Sequence, residues 1–368
     1  LKEAASMFEG KCSQVVLPTA PWCFGDFSQM AMFHRRSGEG DREADELEEF
    51  ISLYSKLTGG HGSGADVLFR AELAHYRGDL DLAEILIHKA IFLAESSQQS
   101  IVQLGATLHL CEIAVEKCDY EVWNKAFNSM EKAATFQNNA FMHIVLDIIR
   151  GVLMNELGHH DRIAGWLKNA DQEKILFPPV KNNALFVYMC FLMHKEEYAH
   201  MTGVAQAVRE TYFKASPFEE AFAYILIAIG QINTGDRNSA VESLNRSMEK
   251  AIPDGFIFLF AAHHWLLQGL SEELIADKFP EYLDLYIKIK ERFLKGYIKL
   301  HTNLEPDSPP DSLTPREREI ALLAAKGLKN TEIAKKLFIT ENTVRTHLHS
   351  AYQKLDIDRR SRLAEKLI

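Results

Sequence analysis

The sequence predicts an all-α protein, a solenoid of helical repeats followed by a small helix-turn-helix domain. Apolar residues recur at three- and four-residue spacing through most of the chain, and turn-bounded runs of β-branched residues are scarce. Turn-like positions return about every 40 residues, the period of stacked helix pairs. The last 56 residues carry their own capping signals and their own charge.

With 368 residues the chain exceeds what one hydrophobic core usually spans, so at least two domains are expected. Its 47% hydrophobic and 25% charged residues describe an ordered, globular chain. No apolar run reaches the roughly 18 residues of a membrane span, and no basic-then-apolar leader opens the sequence, so no membrane partner is expected. The first residue is Leu1, as expected of a piece of a longer protein. The five cysteines, Cys12, Cys23, Cys111, Cys118 and Cys190, form no CxxC pair. They are expected as small apolar groups in a reducing cytoplasm, with neither a zinc site nor a disulfide framework.

Residues 1–66 are expected to be an N-terminal helical segment leading into the repeats. They include a proline-broken aromatic stretch, Leu17 to Cys23, and an acidic run, Asp41 to Glu49, that suits a solvated helix face. The glycine-rich stretch from Leu57 to Gly64 lacks the Gly-Lys-Ser/Thr ending of a phosphate loop and follows a helical pattern. An ordinary inter-helix turn is expected there.

Residues 67–302 hold the repeats. Gly78-Asp79 ends one helix and starts another, with Ala83, Ala90 and Ala94 along the second. The same frame returns at Cys118-Asp119 with Ala126, Ala133 and Ala134, and at Gly158-His159 with Ile163. It returns again at His194-Lys195 with Ala199, and at Gly235-Asp236 with Ala240 and Ala251. The steps are 40, 40, 36 and 41 residues, and the small residues let helices approach closely. This Gly-Asp-x-x-x-Ala turn resembles a degenerate tetratricopeptide repeat, so the body is expected to be a tetratricopeptide-like solenoid. An irregular helical bundle is the alternative.

Residues 303–312, with Pro306, Pro309 and Pro310 among Glu305, Asp307 and Asp311, can neither continue a helix nor bury a core, and form a linker. Beyond it the charge changes sign. The chain carries -10 in all, but residues 311–368 hold twelve Lys/Arg and eight Asp/Glu, or +4, leaving -14 on residues 1–310. A basic end on an acidic body suits a tip that reads DNA.

Residues 313–368 predict three helices. Thr314 caps the first, Pro315 opens it and Glu317 is placed to cap back, with Ile320, Leu323 and Ala324 inward until Gly327 stops it. A short helix follows from Asn330 or Thr331 to Leu337, burying Ile333, Ala334 and Leu337. Phe338-Ile339 turns, and Thr340 caps the third helix. At 100° per residue, Val344, Leu348, Ala351, Tyr352 and Leu355 share one face of that helix. Asn342, Arg345, Thr346, His349 and Gln353 share the opposite face, where every side chain donates hydrogen bonds and none is acidic. A tight turn between two helices, the second with such a face, fits the major groove of double-stranded DNA.

At these residues the sequence resembles the LuxR/FixJ-type DNA-binding domain, through Leu313 to Glu319, Gly327 to Ala334, Thr343 to Leu348 and Tyr352 to Leu355. The resemblance implies that Arg345, Thr346 and His349 face bases. It places Thr343 and Lys354 toward phosphate, flanked by Lys329, Thr340, Asn342 and Gln353. It also implies a homodimer on DNA through the last helix, Arg359 to Ile368, with Leu363 and Leu367 as its apolar edge, and RNA polymerase as a further partner. A helical body ahead of this domain resembles the MalT-like, or large ATP-binding LuxR, regulators, in which such a body senses an inducer. No GxxxxGK[ST] occurs here, so any ATPase would lie upstream.

The expected function is therefore sequence-specific transcriptional regulation, with the repeats sensing a small-molecule inducer or a protein partner. A repeat scaffold carrying a vestigial DNA-binding module is the alternative. No enzyme, metal or cofactor is expected. His159-His160-Asp161 and His263-His264 lack a third ligand at metal spacing, and adjacent helical histidines diverge by about 100°. Phe256, Phe258, Phe260 and Trp265 could line an inducer pocket, though core packing explains them better.

Overall fold

The structure is a computed structural model that describes residues 27–137, 140–169, 178–304, 313, 315–337, 341–355, 357–363 and 366. The expectations for Leu17 to Cys23, the linker from residue 305, Thr314, Phe338-Ile339, Thr340 and Leu367 lie outside the described residues. Every regular element described is helical, and none of these helices is long and apolar enough to cross a membrane.

Helices α1 (Gln29–Phe33) and α2 (Gly40–Thr58) lead into five hairpins. These are α3 (Ala65–Tyr76) with α4 (Leu80–Ser96), α5 (Ser100–Glu116) with α6 (Tyr120–Gln137), and α7 (Ala140–Glu156) with the short α8 (Gly165–Lys168). The last two are α9 (Pro178–His194) with α10 (Tyr198–Thr211) and α11 (Pro217–Asn233) with α12 (Arg237–Ala251). Then come α13 (Phe258–Ala262), α14 (Leu270–Lys278) and α15 (Leu283–Leu304). Helix α3 begins before residue 67, and Met30, Ala44, Leu47 and Ile51 of α1 and α2 sit in the same core as the hairpins. Residues 27–66 are thus built into the body, and α15 runs on into the first two residues of the expected linker.

The hairpins share one turn. Gly78, Cys118, Gly158, Glu196 and Gly235 have φ of 84°, 58°, 78°, 60° and 91°. The next residue in each case donates its N–H to the carbonyl five positions back: Asp79 to Ala74, Asp119 to Ala114, His159 to Met154, Glu197 to Leu192 and Asp236 to Gln231. This left-handed stop satisfies carbonyls that a helix end leaves open. The fourth turn is therefore at Glu196, not at His194-Lys195, and the steps become 40, 40, 38 and 39 residues. Five positions past each turn the side chain is buried: Ala83, Trp123, Ile163, Met201 and Ala240. Ala199 falls out of that frame and is exposed.

The first helix of a pair lies inside and the second outside. Fourteen of the seventeen residues of α5 are buried, against five of seventeen in α4. At least one side chain from each of α3, α5, α7, α9, α11, α13 and α15 (among them Tyr76, Leu108, Val152, Phe186, Phe218, Phe258 and Phe293) faces a shared cavity. Repeats in a solenoid touch only their neighbours, but here the body closes on itself. Asp254, just past α12, accepts N–H bonds from Gly38 (2.5 Å) and Gly40 (2.8 Å), and Arg77 Nε donates to its carbonyl at 2.8 Å. Burial alone would raise the Asp254 carboxyl, but His34 and those two amides hold it below the usual carboxylate range. Arg292 of α15 pairs with Glu116 of α5 at 2.7 Å. Gly296 lies so close that an added Cβ would fall 1.7 Å from the Val115 carbonyl oxygen.

The glycine-rich stretch is a turn whose Gly62 N–H is used internally, donating to Gln99 Oε1 at 2.8 Å. Cys111 and Cys190 are buried, while Cys118 is half-buried at its turn. Phe258 and Trp265 line the cavity, whereas Phe256 and Phe260 are fully buried packing. His263 also lines it and donates Nδ1–H to the Leu259 carbonyl at 2.8 Å.

Candidate nucleic-acid interface

Three helices, α16 (Pro315–Ala325), α17 (Asn330–Lys336) and α18 (Glu341–Lys354), share a core separate from that of the body. Ile320, Ala321 and Ala324 meet Ile333 and Leu337 of the second helix and its end, and Val344, Leu348, Ala351 and Leu355 of the third. Gly327, at φ 89°, stops α16, and Leu328 N–H bonds back to the Leu323 carbonyl at 3.2 Å. Helix α17 starts at Asn330, the first of the two expected positions, with Lys329 as its cap and Lys329 N–H on Glu332 Oε2 at 2.6 Å.

The outer face of α18 emerges as the periodicity requires. Asn342, Arg345, Thr346, His349 and Gln353 are all exposed, and Thr343 is half-buried at the edge. Arg345 is 65% exposed, with Nη2 on Glu341 Oε1 at 2.6 Å. Thr346 Oγ1 donates to the Asn342 carbonyl at 3.0 Å, and Gln353 Nε2 donates to His349 Nε2 at 3.3 Å. These are local contacts within one helix, which partners in a groove can replace at small cost. Lys329, at the start of α17, is exposed.

Two expected roles meet a different geometry. Leu363 is fully buried in the domain's own core, so it supplies no apolar edge at the surface. Lys354 is engaged: its Nζ lies 2.8 Å from Glu317 Oε2, and Ser350 Oγ donates to Glu317 Oε1 at 2.5 Å. Glu317 is 3% exposed, so its charge depends on those two partners. From its position in the sequence Glu317 has only a capping role, and nothing in the sequence marks His347, which is buried at 4% one turn beyond Val344 on the inner face. Arg360 Nη1, in the 3-10 turn Arg360–Arg362, reaches Asn330 Oδ1 at 2.7 Å and fastens the last segment to α17.

Lys354→Ala is expected to destabilise this domain by about 1–3 kcal/mol, because it strips a buried carboxylate of a charged donor. The double variant with Glu317→Ala should cost less than the two single changes added together. Additive losses of melting temperature would show the pair to be uncoupled.

An exposed helix face of donors, on a helix packed against a preceding short helix, is the feature of a helix-turn-helix DNA-binding module. Comparison with known proteins agrees. Residues 311–367 match the model of the luxR family of bacterial regulatory proteins. Over 55 residues the chain is 46% identical to an HTH-type transcriptional regulator of Mycobacterium tuberculosis, covering 15% of this chain and 6% of that protein. Over 56 residues it is 48% identical to the transcriptional regulatory protein LiaR of Bacillus subtilis, covering 15% and 26%. The nitrate/nitrite response regulator protein NarL of Escherichia coli is 28% identical over 141 residues, covering 33% and 64%. The chain thus spans less than two thirds of the length of each of these relatives. No solved structure matches it significantly. The C-terminal domain is a LuxR-family helix-turn-helix domain.

Proposed function

We propose that the chain is a sequence-specific DNA-binding transcriptional regulator whose helical body senses an effector. The observation that carries this reading is the donor-rich outer face of α18, with Asn342, Arg345, Thr346, His349 and Gln353 all exposed and Glu341 at its edge against Arg345. Arg345, Thr346 and His349 meet base edges in the major groove. Lys329, Asn342, Thr343 and Gln353 contact the flanking backbone, and Thr340, next to α18 in sequence, is assigned with them. Lys354 joins them only by exchanging Glu317 for a phosphate. The +4 charge of residues 311–368 against -14 on the rest directs that end to the duplex.

In this reading the chain acts in the cytoplasm, binds DNA as a homodimer and contacts RNA polymerase. Leu363 belongs to the inner core and not to the dimer contact. The tetratricopeptide-like hairpins form the sensor, as the resemblance to MalT-like regulators implies. The test is selection of duplexes by the purified chain from a random pool, followed by affinity measurements at several salt concentrations. An enriched motif is expected, with log affinity falling against log salt by roughly 0.9 per phosphate neutralised. A pool returned without enrichment favours the alternative, a scaffold with a vestigial module.

A further inference from the structure

The cavity of the body has a specific chemistry. Its space for the centre of a water-sized molecule is about 180 Å³. Roughly 10–15 Å³ on that scale admits one water, so a small organic molecule fits. Its walls are aromatic: Phe186 and Phe222 stand 4.7 Å apart edge to face, and Trp265 stacks on Phe293 at 6.0 Å.

Polar groups also line it. Glu112 of α5 lines the cavity and is matched: His109 Nδ1 lies 2.7 Å from Glu112 Oε2, and His109 Nε2 lies 3.2 Å from Glu72 Oε1. Burial would lower the His109 pKa, yet Glu112 and Glu72 outweigh it and hold the imidazole at about 10, so it is charged. Glu116 is matched as well, by His75 at 2.9 Å and Arg292 at 2.7 Å. His75, His109 and Glu112 lie close enough to share a metal ion, but His75 and His109 are already engaged by these carboxylates.

Glu156, at the end of α7, is the carboxylate left over. It lines the cavity, and its Oε2 is buried without a hydrogen-bond partner. Burial first, then the charges of Glu112 and Glu116, push its pKa well above the usual carboxylate range. The neighbouring Asn155 Oδ1 is also unpartnered, its orientation fixed because Nδ2 donates to the Val187 carbonyl at 3.0 Å. Asn182 Oδ1 is another acceptor of this kind, and Glu112 Oε2, though within ion-pair distance of His109, accepts no hydrogen bond either. Burial, then His160 and His263, lower the His194 pKa to about 3, so that ring brings no charge, and burial lowers His263 as well. Among the described residues no lysine or arginine lines the cavity.

We infer that this cavity binds a small aromatic or aliphatic ammonium ion, its N–H groups on Glu156, Asn155 and Asn182 and its carbon skeleton against the aromatic walls. Unused acceptors call for a donor-rich ligand and aromatic faces attract cations; Glu156, which its raised pKa keeps protonated in the empty cavity, gives up that proton as the ammonium enters and becomes its counter-ion. An anion would face the Glu112 carboxylate with His109 already taken. The inference rests on the sensing role proposed above and specifies the ligand class.

The test is calorimetric titration of the full chain with benzylamine, 2-phenylethylamine, tryptamine and butylamine, each beside the alcohol and the carboxylate of the same skeleton. At least one amine should bind at least tenfold more tightly than its alcohol, with its carboxylate weaker still. Glu156→Gln, which keeps the side-chain shape, should weaken that amine at least tenfold and erase the preference over the alcohol. No binding by any amine, equal binding of an amine and its alcohol, or unchanged amine binding in Glu156→Gln would each overturn the inference. The amine–alcohol comparison on the unaltered chain stands even if the variant folds poorly. Affinity for the selected duplex, measured with and without the amine, separates the two proposals. An amine that binds the cavity and leaves DNA affinity unchanged upholds the ligand class and removes the sensing role.

Discussion

Gly296→Ala is expected to destabilise the body by about 1–3 kcal/mol or more, although the residue lies within a helix. Helix propensity alone predicts the opposite, since alanine is favoured over glycine by about 1 kcal/mol in a helix interior. The sign is decided by packing. An added Cβ would stand 1.7 Å from the Val115 carbonyl oxygen and 2.6 Å from its carbon, both backbone atoms that no rotamer change can move. Helix α15 would have to lift off α5, loosening the Arg292–Glu116 pair beside it. The melting temperature of the variant reads the outcome directly. A more stable variant would show that α15 is not pressed against α5, and the closure of the body would be lost with it.

Arg345→Ala is expected to weaken binding to a selected duplex by about 1–3 kcal/mol and binding to random DNA much less. At 65% exposure, with only Glu341 of its own helix as partner, Arg345 contributes little to folding. A guanidinium in the middle of this face can reach guanine O6 and N7 together. Fluorescence anisotropy on both duplexes, after circular dichroism has shown the fold intact, separates the roles. Equal losses on the two duplexes would make Arg345 a phosphate contact and remove α18's outer face from base reading. Lys354→Ala differs at the first step, because there the melting temperature falls before any affinity is measured.

The outer face of α18 was legible in the sequence because a helix on a small core exposes whatever its apolar stripe leaves over. All five side chains assigned to that face are exposed. The hairpin turns were legible at Gly78, Gly158 and Gly235, where glycine occupies the left-handed position, and at Cys118, where Asp119 follows the turn as Asp79 and Asp236 follow theirs. At Glu196 the same conformation is held by a residue that seldom adopts it, and the frame slipped. Glu317 was hidden because an acid in a helix's first turn already has an ordinary reason to be there. The closure was hidden for another reason. Periodicity reports which side of a helix is apolar, not which distant helix covers it, and Gly296 and Arg292 look unexceptional within α15. One signal was available for the cavity cluster. Helix α5 is apolar around most of its circumference yet carries His109, Glu112 and Glu116, and charges on a fully buried helix need partners.

The closure also sets the order of events as the chain folds. A linear array of repeats can nucleate anywhere and grow by adding its nearest neighbour. Here Gly40 must find Asp254 across 214 residues, and Glu116 must find Arg292 across 176. Contacts of such sequence separation are late and slow, because the loop-closure entropy must be overcome before they reward it. During synthesis the early hairpins can stack as they emerge, but their inner faces stay uncovered until α15 is made. The cavity comes into existence only at that last step.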